Sequence, residues 1–201
     1  KQGYLVLELD GPEVTALQGF GFRVEAAPDI VRRRNQFLDQ IDAGGNGVQS
    51  IPGYSCYETV EETFAAAEAI VAARPTMASW TDVGDSWTKT QGAGGYDMKV
   101  LKLTNSAVAG PKPKLFIQSA IHAREYTTAP MALSFARWLS DGYGTNADAT
   151  WIMDHHEVHL LLQTNPDGRK KAEAGLSWRK NTNSAYCSGN SIGADLNRNF
   201  T

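Results

Sequence analysis

The chain has 201 residues, enough for one domain with a real core or one domain plus a small appendage. Its formal net charge of −3 gives no global basic field to recruit nucleic acid, and no apolar stretch approaches the roughly 20 residues that a membrane-spanning helix needs. The one dense basic run, Arg32-Arg33-Arg34, has no aromatic platform beside it and reads as a solvated helix face. No signal peptide is visible, but the chain starts at Lys1 without Met, so this says little about compartment.

Tyr4-Leu5-Val6-Leu7-Glu8-Leu9 is the first strand candidate; Gly11-Pro12 then turns the chain, and Phe20-Gly21-Phe22-Arg23-Val24 is the second. A helical pattern runs from Pro28 to about Ile41, and Ala43-Gly44-Gly45-Asn46-Gly47 reads as a linker. The expected division is therefore an N-terminal accessory segment, 1–49, and a main domain, 50–201. Thr59-Val60-Glu61-Glu62 fits a capping box, apolar residues from Val60 to Val71 follow at helical spacing, and Arg74-Pro75 stops the helix. Trp80 to Val83 and Met98 to Leu103 read as strands. Gly92-Ala93-Gly94-Gly95 between them reads as a hairpin loop, because a phosphate cradle would lead into a helix.

The apolar run Leu115–Ile117 is a buried strand, and His122 lies in the loop after it. Thr128-Ala129-Pro130 opens a helix with Gly142 beyond its end. A short helix around Trp151 leads into a strand over Val158–Leu162, and Asn165-Pro166-Asp167-Gly168 reads as a turn. Helices alternating with buried strands predict an α/β layer architecture. Neither Cys56 nor Cys187 lies in a C-x-x-C pair, so a cysteine zinc site or thioredoxin chemistry is not expected; their pairing is left open.

Chemistry concentrates in Ser119-Ala120-Ile121-His122-Ala123-Arg124-Glu125-Tyr126. A His and a Glu three apart on a loop can converge on one ion, and imidazole with carboxylate suits zinc. A catalytic zinc takes three protein ligands and keeps one position for water, so a third is required. The cluster His155-His156-Glu157-Val158-His159 does not supply it by pattern: H-E-x-x-H from His156 would need His at 160, which is Leu160. Later, Trp178-Arg179-Lys180 and Asp195-Leu196-Asn197-Arg198-Asn199 combine guanidinium and amide donors of the kind that clamp a carboxylate.

Taken in order, Ile121-His122-Ala123-Arg124-Glu125-Tyr126, Asn165-Pro166-Asp167-Gly168, Trp178-Arg179-Lys180 and Asp195-Leu196-Asn197-Arg198-Asn199 resemble the motifs of zinc metallocarboxypeptidases of the carboxypeptidase A type. The resemblance runs from about Ile51 to the last residue. It implies a mixed, largely parallel central sheet with helices on both faces, of which this chain carries about the first half. It implies one Zn2+ with His122 and Glu125 as ligands, and Asp195 orienting His122 from behind. Arg179 is implied as the group that stabilises the oxyanion, Asn197 and Arg198 as the grip on the substrate's C-terminal carboxylate, and Arg124 as part of an outer subsite. Cys187 resembles a family cysteine whose disulfide partner lies further along.

The same resemblance implies a third ligand His and a general-base Glu beyond Thr201. The expectation is thus a fragment that is inactive alone, with a sheet edge that meets either the remainder of the domain or a second copy. Residues 1–49 are expected to be a propeptide-like or accessory segment. Expected partners are peptide and protein C-termini, with no nucleic acid and no membrane, and the expected location is secreted or extracytoplasmic. Two other readings stand beside this one: a non-catalytic module that binds peptide carboxylates, and a zinc amidase acting on cell-wall peptides. The His122–Glu125 pair favours an enzyme, and Asn197-Arg198 favours a free carboxylate in the substrate.

Overall fold

The computed structural model describes residues 5, 7, 9, 11–29, 50–185, 187, 192–198 and 200. The chain divides into two units, Lys1–Gly44 and Gly45–Thr201. The strand expected over Tyr4–Leu9, the helix from Pro28 to Ile41, the basic run Arg32–Arg34 and the linker at Ala43–Gly47 lie wholly or largely outside the described residues.

The first unit contains helix α1 (Gly11–Gly19), which buries none of its residues. Both expectations for this stretch need correction. Gly11-Pro12 starts a helix instead of turning the chain. Proline is pre-set for the first helical turn, and Glu13 adds a negative charge beside the helix N-terminus. Phe20-Gly21-Phe22 is the helix stop, not a strand. Phe22 N–H donates to Leu17 O at 3.1 Å and Gly21 N–H to Gln18 O at 3.0 Å, and Gly21 has φ of +85°. That is the paired hydrogen-bond pattern of a glycine-terminated helix, which satisfies carbonyls the helix would otherwise leave open.

The second unit opens its regular structure with helix α2 (Val60–Ala73). The capping box is present: Glu62 N–H donates to Thr59 Oγ1 at 3.2 Å, and Thr59 N–H donates to Glu62 Oε2 at 2.8 Å. Strands β1 (Ala78–Asp85) and β2 (Asp97–Leu103) form an antiparallel hairpin with Trp80 opposite Leu101. The short helix α3 (Trp87–Thr90) and the glycine-rich turn after it close that hairpin. Strand β3 (Lys114–Gln118) is followed by helices α4 (Thr128–Gly142) and α5 (Ala147–His155) and then by strand β4 (Glu157–Leu161).

The sheet order is β1-β2-β4-β3. The mixed α/β sheet expected from the sequence is present. Its largely parallel character is met only by β3 and β4, which pair in parallel while the other two pairings are antiparallel. Connection length explains this: β1 and β2 are joined by a hairpin, whereas β3 and β4 are joined by a helical crossover, which returns the chain in the same direction. Helices α2, α4 and α5 share one core with one sheet face. Leu101, Leu103, Val158 and Leu160 meet Ala67, Leu133, Ala136, Leu139 and Met153 there. On α4, Ala129, Ala132, Leu133, Ala136 and Leu139 recur every three or four residues, so one stripe is buried. Burying a side chain such as Leu133 contributes roughly 1.5–3 kcal/mol. The expected helices are thus met on one face. On the other, Phe116 pairs with His159 and is 52 % exposed while Val100 is buried, so β3 is a half-exposed edge strand and not the buried strand that its apolar run predicts.

Helix α6 (Pro166–Glu173) corrects the reading of Asn165-Pro166-Asp167-Gly168 as a turn. Asn165 is the N-cap, its Oδ1 accepting from Gly168 N–H at 3.1 Å, and Pro166 occupies the first helical position.

Candidate active site

Strands β3 and β4 are parallel, so both end on the same side of the sheet. The loop carrying His122 leaves the end of β3, and Asn165 follows the end of β4. In open α/β sheets the crevice outside the carboxyl ends of the strands is where ligands bind. The turn out of β3 is sharp. Ala120, 1 % exposed, has φ of +53°, a conformation costly for a residue with a Cβ, and its N–H donates to Thr128 Oγ1 at 2.9 Å. That turn brings His122 back over the strand end, where its ring is almost fully buried.

Four of the expected site residues close into one ring of contacts. His122 Nδ1 lies 2.9 Å from Glu125 Oε1. Arg179 Nη1 donates to the same Glu125 oxygen at 3.1 Å, and Arg179 Nε donates to Asp195 Oδ2 at 3.2 Å. Asp195 Oδ1 lies 3.0 Å from His122 Nε2, which completes the ring. The two imidazole nitrogens therefore face different carboxylates. Asp195 also accepts the Asn197 N–H at 3.0 Å. Partial burial pushes the Asp195 carboxyl upward, but hydrogen bonds from Arg179, His122 and the Asn197 amide outweigh it, and the group sits below the ordinary carboxylate range.

The segment carrying Asp195 is held in place by Asn181. Asn181 N–H donates to Ala194 O at 3.1 Å, and Asn181 Oδ1 accepts Ala194 N–H at 2.7 Å. Gly193 makes that approach possible: it has φ of +94°, and a Cβ there would overlap the Asn181 carbonyl. A cavity of about 200 Å³ opens beside the ring, with His122, Glu125, Thr128 and Asn197 in its lining.

The remaining expected residues lie outside the ring. Asn197 and Arg198 sit on an exposed 3-10 turn, Leu196–Arg198, where Arg198 Nη1 donates to Asn197 O at 2.9 Å. Arg124 is exposed and donates to Ser177 Oγ at 2.9 Å. The second histidine cluster does not join the site. His159 Nε2 pairs with Glu157 Oε2 at 2.9 Å, and His155 and His156 pack on Trp151 with ring centroids 5.4 and 4.9 Å away. Cys56 and Cys187 are both exposed and unbonded to each other.

The donor set fits two positions of a zinc site. An imidazole nitrogen and a carboxylate oxygen converge, while the other ring nitrogen is held by a carboxylate, the arrangement that fixes the tautomer of a metal-ligating His. Among the described residues, no group of three His, Cys, Asp or Glu side chains is placed to hold a metal.

A family model described as Peptidase_M14, zinc carboxypeptidase, matches residues 64–201. The chain belongs to the zinc carboxypeptidase family. It is 31% identical over 216 residues to a zinc carboxypeptidase of Saccharothrix mutabilis subsp. capreolus, covering 100% of this chain and 48% of the relative. It is 31% identical over 178 residues to carboxypeptidase A2 of Rattus norvegicus, covering 88% of this chain and 39% of that one. Carboxypeptidase A from Helicoverpa armigera superposes with a TM-score of 0.70 at 25% identity, over 94% of this chain and 46% of that structure. The chain thus spans less than half the length of each of these zinc carboxypeptidase relatives. The family uses zinc, and among the described residues no helix is long and apolar enough to cross a membrane.

Two positions escaped the sequence reading. Asn165 is a helix cap, and Asn-Pro at a strand end signals a cap as readily as the turn expected there. Ala120 carries no sequence signal for a left-handed backbone, since Gly or Asn is the usual marker.

Proposed function

We propose that the intact protein is a zinc-dependent carboxypeptidase that hydrolyses the C-terminal peptide bond of peptides and proteins. The observation that carries this is the closed ring of His122, Glu125, Arg179 and Asp195 beside a cavity lined by Asn197. His122 Nδ1 and Glu125 would hold the metal. Bound there, zinc supplies Lewis-acid polarisation of the scissile carbonyl and a more acidic bound water.

The chain's own residues do the rest. With a metal bound, Asp195 would accept from His122 Nε2–H, and Nδ1 would turn its lone pair from Glu125 to the ion. Arg179 offers a planar set of donors next to Glu125, suited to the oxyanion that develops as the carbonyl becomes tetrahedral. Asn197 and Arg198, on one exposed turn, present an amide and a guanidinium to the free carboxylate of the substrate. Arg124 is read as a contact for residues further up the peptide.

We also propose that the 201 residues alone are inactive. Of the four histidines in the sequence, only His122 reaches the site, and the general-base Glu implied by the resemblance has no counterpart among the residues placed there. The exposed edge of β3 is read as the line along which the remainder of a longer chain, or a second copy, would pair. Residues 1–49 are read as an accessory or propeptide-like segment, and the site of action as outside the cytoplasm.

The test is hydrolysis of an N-blocked dipeptide by the zinc-loaded intact protein, against the same dipeptide as its C-terminal amide. Release of the last residue from the acid alone supports the proposal; equal cleavage of both would point to an amidase. Metal-independent binding of the acid with no cleavage would point to a carboxylate-binding module, a reading that the Asn197-Arg198 turn also accommodates.

A further inference from the structure

We propose that Asn165 is a positioning residue that sets the spacing between the metal-ligand loop and the Arg179 loop. This rests on the carboxypeptidase reading of the site. Asn165 is 3 % exposed, does not line the cavity, and directs its side-chain hydrogen bonds to backbone atoms and not to the ring side chains. Its side chain nevertheless uses three hydrogen-bonding positions, each on a different segment. Oδ1 accepts from Gly168 N–H at 3.1 Å, which starts helix α6. Nδ2 donates to Ile121 O at 3.2 Å, one residue before His122. It also donates to Lys180 O at 2.9 Å, one residue after Arg179.

The two loops have a second tie alongside: Ala123 N–H donates to Arg179 O at 3.1 Å. The loops carrying His122 and Arg179 are therefore joined at two points, one of them through the carboxamide. Its orientation follows from its partners. A flipped amide would set its NH2 against an N–H and its oxygen against two carbonyls. No other common cap supplies the same set. Serine can cap the helix but has one hydrogen to donate, and aspartate would set a carboxylate against two carbonyl oxygens.

The packing around Asn165 allows little slack. A Cβ at Gly168 would come within 2.5 Å of Lys180 O and 2.6 Å of Asn165 Oδ1, so the start of α6 is pressed against the Arg179 loop. Arg179 reaches both Glu125 and Asp195 with single hydrogen bonds of 3.1 and 3.2 Å. A small drift of one loop against the other breaks one of them. Misplacement of about 1 Å at a reacting geometry can cost about 100-fold in rate. Loss of a group that acts on the developing oxyanion lowers kcat and leaves substrate binding largely in place.

The test compares Asn165→Ser with Asn146→Ala in the intact zinc-loaded protein. Asn146 caps helix α5 through Ala149 N–H at 3.0 Å and has no contact with the site, so it serves as the control for lost stability. The expectation is a 10- to 100-fold fall in kcat for N165S with KM within about threefold, and unchanged kinetics for N146A. Amide hydrogen exchange at Ala123 is the second readout. It accelerates in N165S and not in N146A, whether or not the protein cleaves peptides. If wild type releases no C-terminal residue, the carboxypeptidase reading fails by itself, and the exchange result still decides the brace. A folded N165S with wild-type kcat, or with unchanged Ala123 exchange, overturns the proposal. So does an equal loss of kcat in N146A. Asn165→Asp keeps the cap and serves if N165S does not fold; failure of both to fold while N146A folds assigns Asn165 to general stability and also overturns it.

Discussion

Asp195 gives the sharpest test of how the site is built, because its two oxygens have separate partners. Oδ1 faces His122 Nε2 at 3.0 Å and takes the Asn197 N–H, while Oδ2 takes Arg179 Nε at 3.2 Å. Asp195→Ala removes the group that fixes the His122 tautomer. Loss of such an outer partner typically weakens metal affinity about 10- to 100-fold, or about 1.4–2.7 kcal/mol. Asp195→Asn behaves differently. Its Oδ1 still accepts from His122 and from Asn197 N–H, but the amide NH2 now faces the Arg179 donor. In the intact protein, D195A should lose zinc to a competing chromogenic chelator at 10- to 100-fold lower chelator strength. D195N should stay within about fivefold of wild type in zinc affinity and still lose turnover, since Arg179 is displaced. Wild-type zinc affinity in D195A, or equal loss of zinc in both variants, would refute the reasoning.

Three further outcomes follow from the geometry. At Ala120, with φ of +53°, Ala120→Gly should stay within about 1 kcal/mol of wild type in urea unfolding. Ala120→Val should cost more than about 2 kcal/mol; a tolerated Val would contradict the strained turn. Asp154 accepts from Asn105 Nδ2 at 2.8 Å and from Tyr143 OH at 3.0 Å. The Asn105 amide holds its carboxyl below the ordinary value, with burial opposing and Tyr143 assisting. Its contribution is then complete above the unfolded value near pH 4 and is lost as pH falls through the lower folded value, so the urea midpoint should drop below pH 4 and Asp154→Asn should shrink that drop; a midpoint that rises on acidification would contradict it. The edge strand β3 exposes Leu115 and Phe116 at 47 and 52 %. Sedimentation of the 201-residue chain should therefore show self-association that Phe116→Lys reduces, and a monodisperse wild-type monomer would contradict this.

Much of the fold was legible where signals were local and redundant. Thr59 and Glu62 announced α2 through a reciprocal cap, and the apolar runs of β2, β3 and β4 sat where the strands formed. The failures share a cause. Phe20-Gly21-Phe22 and Asn165-Pro166 are apolar or turn-forming residues whose role depends on the helix they end or begin, and single-residue propensity does not say which side the helix lies on. Parallel against antiparallel pairing depended on connections between strands and not on the strands themselves. Of the site, the residue types were visible, but the ring was not. That Arg179 bridges Glu125 and Asp195, 54 and 16 residues away along the chain, is a product of folding that no spacing encodes. The brace through Asn165 was hidden for a related reason: besides the helix cap, its partners are two backbone carbonyls, and these carry no sequence signature.

The most direct measurement is the zinc content of the intact protein after equilibrium dialysis, beside His122→Ala and Glu125→Ala. One tightly held zinc per wild-type chain is expected, with loss of tight binding in both variants. A wild-type protein that holds no zinc, or a H122A variant that holds it as tightly as wild type, would contradict it.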